Sequence, residues 1–261
     1  MSLVTIKDIY TPWQDLIGVA ADDTLGHAAH LLRQHQLHYL PVVRGGGGAW
    51  HWPPEKGKPL AFEGLLTSQD IDLAVALERE RGNSAGQQPW QNRRVVEVMH
   101  RALMRVTPAT SVAAAALLLV ERNLHCLPVI QYATPDASGA QTAPAASDQP
   151  IPPEDWQESQ PLLVGLLTRS DLLTALARAL GVFEPGMQLL LPLHHGNMQP
   201  LARALALADE LHISVRSVMA APLQGTFPRV ATLRLGTINP APFLLRLQEE
   251  GISYAFADQD V

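Results

Sequence analysis

Two short words recur in the same order along this chain, and that recurrence limits what it can fold into more than any other feature. Leu-His-x-Leu-Pro-Val stands at Leu37 to Val42 and again at Leu124 to Val129; Gly-Leu-Leu-Thr-x-x-Asp stands at Gly64 to Asp70 and again at Gly165 to Asp171. The chain is a duplication. Pro41 and Pro128 lie 87 positions apart, whereas Asp70 and Asp171 lie 101 apart, so the second copy holds a longer insertion between its words. The flanking words survive it unchanged, which makes the insertion a loop.

A Leu-Leu run entered from glycine, too short for a helix and ended by Thr-x-x-Asp, reads as a buried strand that stops where a helix begins. Thr67 and Thr168 are then N-caps whose hydroxyls accept from the amide three residues on, while Asp70 and Asp171 reach back to the cap's own amide. Two uses of this geometry stay open. It is a capping box, contributing about 1 kcal/mol. The same helix start, with amides, a hydroxyl and a carboxylate, can also hold a phosphate and accept from ribose hydroxyls.

Leu-Pro-Val followed by Gly-Leu-Leu-Thr-x-x-Asp, twice in tandem over residues 1 to 180, resembles a pair of CBS domains. That regulatory module commonly binds adenine nucleotides or related adenosyl compounds. The resemblance implies that Thr67 and Thr168 face ligand phosphate and that Asp70 and Asp171 face ribose. It further suggests Val19, Ala20, Tyr39, Pro41 and Val42 around one adenine cleft, and Val106, Thr107, Cys126, Pro128 and Val129 around the other. No cofactor is obligatory on this reading; AMP, ADP, ATP or S-adenosylmethionine is the expected regulatory ligand. Arg169, beside the second helix start, is either a grip on phosphate or a solvated first-turn side chain. In the first case Asp171 matters more for nucleotide affinity than Asp70.

With 261 residues, 47% of them hydrophobic, the chain can bury an ample core and make one to three domains. A net charge of −6 argues against nucleic-acid binding, which needs clustered Lys and Arg. The lone cysteine, Cys126, can form no internal disulfide; it stands where the first copy has Tyr39, a packed or ligand-facing strand position rather than a nucleophile. The first residues show no secretory pattern, and no stretch approaches the ~20 apolar residues of a membrane span. A cytoplasmic location is the expectation.

Along the chain, Ile6-Lys7-Asp8-Ile9 is answered by Val95-Val96-Glu97-Val98-Met99, and residues 1 to 23 are expected beside the core of their own repeat. Thr24 and Ser111 cap twin helices whose apolar faces are Leu25, Ala28, Ala29 and Leu32, and Val112, Ala115, Leu118 and Leu119. Pro41 within a strand marks an edge or a ligand-facing end. His38 and His125 recur as helix-end or buried structural residues. The four glycines from Gly45 lack a following Gly-Lys-Ser/Thr, which leaves a flexible hairpin excursion. The insertion 132–160 has a composition that favours disorder. Trp50, Trp52 and Trp156 are expected to tack these loops onto the surface, with covering a ligand as the alternative.

Gly82-Asn83-Ser84-Ala85-Gly86 matches a serine-hydrolase pattern without the strand and helix that a nucleophile elbow needs. A hydrolase using Ser84 or the histidine-rich loops is the alternative to a sensor, and a ligand-free scaffold is another. No catalytic or metal-ligating set stands at the duplicated positions.

From Pro185 the pattern changes. Strands at 187–193, 213–219, 230–235 and 252–256 alternate with helices marked by Leu201, Leu205, Ala208 and Leu211, and by Asn239-Pro240, Leu244 and Leu247, giving the order βαββαβ and a four-stranded antiparallel sheet. This tail resembles an ACT domain, a ferredoxin-like fold. His194 and His195 sit in a loop where that family places ligand contacts; in extended chain they point to opposite sides, so they are expected to face solvent or an interface. The expected fold class is α/β (α+β), with a CBS domain at 1–80, a second at 93–181 and an ACT-like domain at 185–257. The combination resembles the acetoin-utilisation type of CBS-ACT protein, and implies a homodimer acting on an unidentified regulated protein.

Overall fold

The computed structural model describes residues 5–44, 60–81, 89–101, 104–132, 161–222, 229–237 and 239–256. The glycine run from Gly45, Trp50, Trp52, Ser84, Trp156 and the insertion beyond Tyr132 lie outside the described residues. The chain forms two compact units, residues 1–172 and 173–261. Among the described residues no helix is long and apolar enough to cross a membrane.

In the first unit, β1 (Thr11–Pro12) is followed by one copy of the repeat: β2 (Val19–Ala20), α1 (Leu25–Gln34), β3 (Tyr39–Val43), β4 (Leu60–Thr67) and α2 (Ser68–Arg81). The second copy has a single bridge at Val106 in place of β2, then α3 (Val112–Glu121), β5 (Cys126–Tyr132), β6 (Pro161–Thr168) and α4 (Arg169–Ala179). Tyr132, expected at the head of the insertion, is the last residue of β5 and pairs with Pro161. The Thr24 hydroxyl accepts from His27 N at 3.2 Å and the Ser111 hydroxyl from Ala114 N at 3.2 Å, so both N-caps form. Gln36 and Asn123, at matching positions after the two helices, take left-handed φ values of 54° and 49°.

Antiparallel ladders run from Tyr39↔Thr67 to Val43↔Phe62 and from Cys126↔Thr168 to Tyr132↔Pro161, each with one bulge. The copies are joined where β4 pairs with β6 at Leu60↔Leu163 and Ala61↔Leu162. The Pro128 carbonyl accepts from Val106 N. A residue's nitrogen and carbonyl share one strand edge, so the proline nitrogen lies where the neighbouring chain has not yet begun to pair.

The segments that precede the copies are exchanged, which corrects the expectation for residues 6 to 12, whereas residues 17 to 21 do lie beside the core of their own repeat and supply its first strand. Fully buried Ile6 packs in the core of the second copy, with Val106, Ala115, Leu119, Leu127, Val129 and Leu167, and its N–H donates to Thr110 O at 2.9 Å. Val95 instead completes the core of the first copy, among Val19, Leu25, Leu32, Leu40 and Leu66. Its N–H donates to Asp23 O at 2.8 Å, and Val96 N to Ala21 O at 2.9 Å. The physical reason is chain economy: residues 89–99, the next described after α2, pack on the copy just completed, leaving the amino-terminal segment to fill the equivalent gap in the other. Each segment then crosses a repeated glycine. β1 pairs with Gly165 and Leu166, and His100 bridges Leu65 beside Gly64.

The second unit runs β7 (Met187–Pro192), α5 (Gln199–Glu210), β8 (Val215–Met219), β9 (Val230–Leu235), α6 (Ala241–Glu249) and β10 (Ala255–Phe256). The sheet order is β10-β7-β9-β8 and every pair is antiparallel. On β9, Ala231, Leu233 and Leu235 are buried while Val230, Thr232 and Arg234 are not, the period-two pattern of a sheet covered on one side. α5 buries Leu201, Ala204, Leu207 and Ala208; Leu205 and Leu211 are only partly covered, so its face is turned slightly from the expected one. Asn239 Oδ1 accepts from Ala241 N at 3.2 Å at the start of α6. His194 and His195 lie in a tight turn with His195 at φ 54°, not in extended chain, and both are exposed.

Candidate functional site

Both duplicated junctions form the capping box. At the first, Thr67 N donates to Asp70 Oδ2 at 2.7 Å, the Thr67 hydroxyl donates to the same oxygen at 2.7 Å, and Asp70 N donates to the hydroxyl at 3.2 Å. At the second, the corresponding distances between Thr168 and Asp171 are 2.8, 2.8 and 3.1 Å. The helix start follows from local chemistry: a β-strand ending in Thr and a carboxylate three residues on satisfy two amides that the helix cannot.

Each aspartate also receives a side chain from an exchanged segment. His100 Nδ1 lies 3.2 Å from Asp70 Oδ2, and the Thr11 hydroxyl donates to Asp171 Oδ1 at 3.4 Å. These two residues escaped the sequence reading. The match between Ile6–Ile9 and Val95–Met99, continued two positions further, would have placed Thr11 opposite His100.

Burial pushes the Asp70 carboxyl up, but hydrogen bonds from His100 and Thr67 outweigh it and leave the group below its ordinary 3.8. The bond to Asp70 raises His100 above 6.5 against the opposing effect of burial. The imidazolium's contribution to stability is therefore complete below 6.5 and lost as pH rises through the raised value; the carboxylate's is present above 3.8 and lost as pH falls through the lowered one. The pair stabilises most between them. Both groups touch solvent, so His100→Gln should cost about 0.5 kcal/mol near pH 5.5 and almost nothing near pH 8.5 in urea titrations. A cost that grows with pH would contradict the pairing.

Arg169 corrects the expectation placed on it. Its Nε donates to Leu124 O at 2.7 Å, and Nη2 to Leu119 O at 3.2 Å and Asn123 Oδ1 at 2.9 Å. The guanidinium closes the carboxyl-terminal end of α3, where the last carbonyls and the helix dipole attract a cation. It neither dangles in solvent nor waits at its own helix start.

Tyr39, expected in the first cleft, pairs with Thr67 at the first junction, but its side chain reaches the second. Burial first, then the neighbouring Cys126 and Asp171, push its phenol up to about 12, against a hydrogen bond with the Thr168 side chain. It therefore carries its proton at neutral pH. Tyr39 and Cys126 share a core layer with residues of both copies, including Phe62, Leu65, Ile130 and Leu166. Burial holds the Cys126 thiol up at about 12, the setting of an inert thiol.

Strand alternation sorts the remaining cleft residues. Val19 and Val42 point into the core of the first copy, and Val106 and Val129 into that of the second. Their side chains therefore line no cleft, and a ligand beside them would meet main chain. Ala20, Pro41 and Pro128 are buried, and Thr107 is exposed with its N–H donating to the Thr110 hydroxyl at 3.1 Å. His38 and His125 are exposed, not buried; their carbonyls accept from Ser68 N and Arg169 N at the helix starts. Among the described residues no group of three or more His, Cys, Asp or Glu is placed to hold a metal ion.

The family model of the CBS domain matches residues 6–76 and 95–139. A CBS domain-containing protein of Bacillus subtilis, YhcV, is 25% identical over 126 residues, which is 48% of this chain and 72% of that protein. Among solved structures, CBSX2 in complex with AMP is 22% identical with a TM-score of 0.43, covering 67% of this chain and 97% of that one. A protein of Vibrio cholerae described as an acetoin utilization protein, AcuB, is 20% identical with a TM-score of 0.42, covering 70% and 99%.

Proposed function

We propose that this chain, in which CBS domains recur in tandem, is a non-catalytic sensor that binds adenine nucleotides or adenosyl compounds at its two strand-to-helix junctions. The observation that carries this reading is the convergence, twice, of a threonine hydroxyl, a carboxylate and a side chain from an exchanged segment at a helix start. Thr67 and Thr168 take the phosphate; Asp70 and Asp171 take the ribose hydroxyls, releasing His100 or Thr11 as they do so. Ala20, Pro41 and Pro128 supply apolar walls. The second unit is an ACT-like domain, and the chain works in the cytoplasm as a homodimer that regulates another protein. Leu73 of α2 and Leu117 and Val120 of α3, exposed at 60%, 56% and 74%, support a self-association surface.

Thermal melts with AMP, ADP, ATP and S-adenosylmethionine test the reading. A ligand at a hundred times its dissociation constant adds about 2.7 kcal/mol, a rise of roughly 5–10 °C for a unit of this size. Asp70→Ala and Asp171→Ala should each abolish part of that rise. The completed capping boxes favour a second reading, a scaffold in which the junctions are caps alone; melts that no adenosyl compound moves would select it. Light scattering on the same samples tests the dimer, and a monomer at every concentration would remove that element.

A further inference from the structure

The exchange that brings a residue to each aspartate does not bring the same residue. Asp70 meets an imidazole and Asp171 a hydroxyl. The His100 side chain is 49% exposed, against 23% for Asp70, so the ring stands at the open side of the junction. At the second junction the one cation close in sequence, Arg169, is bound to the end of α3, and the nearby Tyr39 phenol is neutral.

We infer that the first junction selects its ligand by charge and the second does not: protonated His100 draws an anionic phosphate to the start of α2, whereas the start of α4 accepts the nucleoside without requiring that charge. The inference rests on the nucleotide reading of these junctions and deepens it. His100 acts as a specificity residue, through a cation beside the Thr67 hydroxyl and the first amides of a helix. Of the charged groups on the elements against which it packs, Asp70 on α2 faces it and holds its proton; Glu63 on β4 is bound by Arg44, and Arg101 follows on its own segment. When a ribose claims the Asp70 carboxylate, the phosphate of the same ligand replaces the lost countercharge. The preference for AMP over adenosine at this junction must then fall as His100 loses its proton.

Calorimetry on the full chain with AMP and with adenosine, at about pH 5.5 and about pH 8, tests this. At one of two sites the ratio of AMP to adenosine affinity should fall about tenfold between those values, and at the other it should follow only the phosphate's own ionisation. In His100→Gln the change in that ratio should shrink to that of the phosphate's own ionisation near pH 6, which is common to both proteins. Thr11→His should create a second pH-sensitive AMP site, a gain that loss of folding cannot mimic. If AMP binds and His100→Gln keeps the wild-type pH profile, or Thr11→His adds no sensitivity, the inference fails while the nucleotide reading stands. If neither AMP nor adenosine binds the wild type at either pH, the reading itself falls.

Discussion

Gly165→Ala should lower the stability of the first unit by about 3 kcal/mol, a loss of roughly 6–12 °C in melting temperature. A methyl group at this position would stand 2.5 Å from Thr11 O and still closer to the Tyr10 ring. The carbonyl belongs to the paired backbone of β1 and cannot turn aside, so the amino-terminal segment must lift from β6. Ile6 sits five residues earlier and would be drawn from the core of the second copy. Gly64→Ala should act the same way on the other copy, since its methyl would stand 2.6 Å from His100 O. Adding Tyr10→Ala to Gly165→Ala relieves the ring contact but not the carbonyl, so it should fail to restore stability. Circular dichroism melts provide the measurement. A Gly165→Ala protein as stable as the wild type would mean that this segment does not cross β6.

Phe243→Ala should remove about 3–5 kcal/mol from the second unit. Phe243 is fully buried among Leu189, Leu191, Leu233 and Leu235 of the sheet and Leu247 of its own helix. The cavity left by a deleted ring in such a setting collapses only in part, which is why the cost exceeds simple transfer. Hydrogen exchange gives a resolved readout: amides of β7 and β9 should lose protection, while those of β4 and β6, in a separate compact unit, should keep theirs. Unchanged protection in β7 and β9 would show that α6 does not hold the sheet.

What could be read from the chain before its structure divides along physical lines. The Thr67–Asp70 and Thr168–Asp171 boxes and the caps at Thr24 and Ser111 were legible because each is complete within four residues. The strand–helix alternation after Pro185 was legible because β9 shows its buried side by period. Thr11 and His100 were not, since their contacts reach 160 and 30 residues along the chain. Arg169 could not be placed from a first-turn position alone, as a long flexible side chain goes wherever carbonyls at a helix end can accept from it, here at Leu119 and Leu124. The valines assigned to the clefts turn their side chains into the cores, as strand period alone indicates, and so have only main chain to offer a ligand. Tyr39 and Pro41 lie on one side of β3, and Leu40 and Val42 on the other.

The reciprocal exchange has a consequence for the order of assembly during synthesis. The first copy is closed by Val95, which leaves the ribosome soon after α2, so it can mature early. The second is closed by Ile6, which must remain uncommitted until β6 has been made. For that interval a nascent chain carries an apolar amino-terminal hook and a matching slot on a later segment. Two chains translated side by side could trade hooks, and the intramolecular closure would then compete with an intertwined pair.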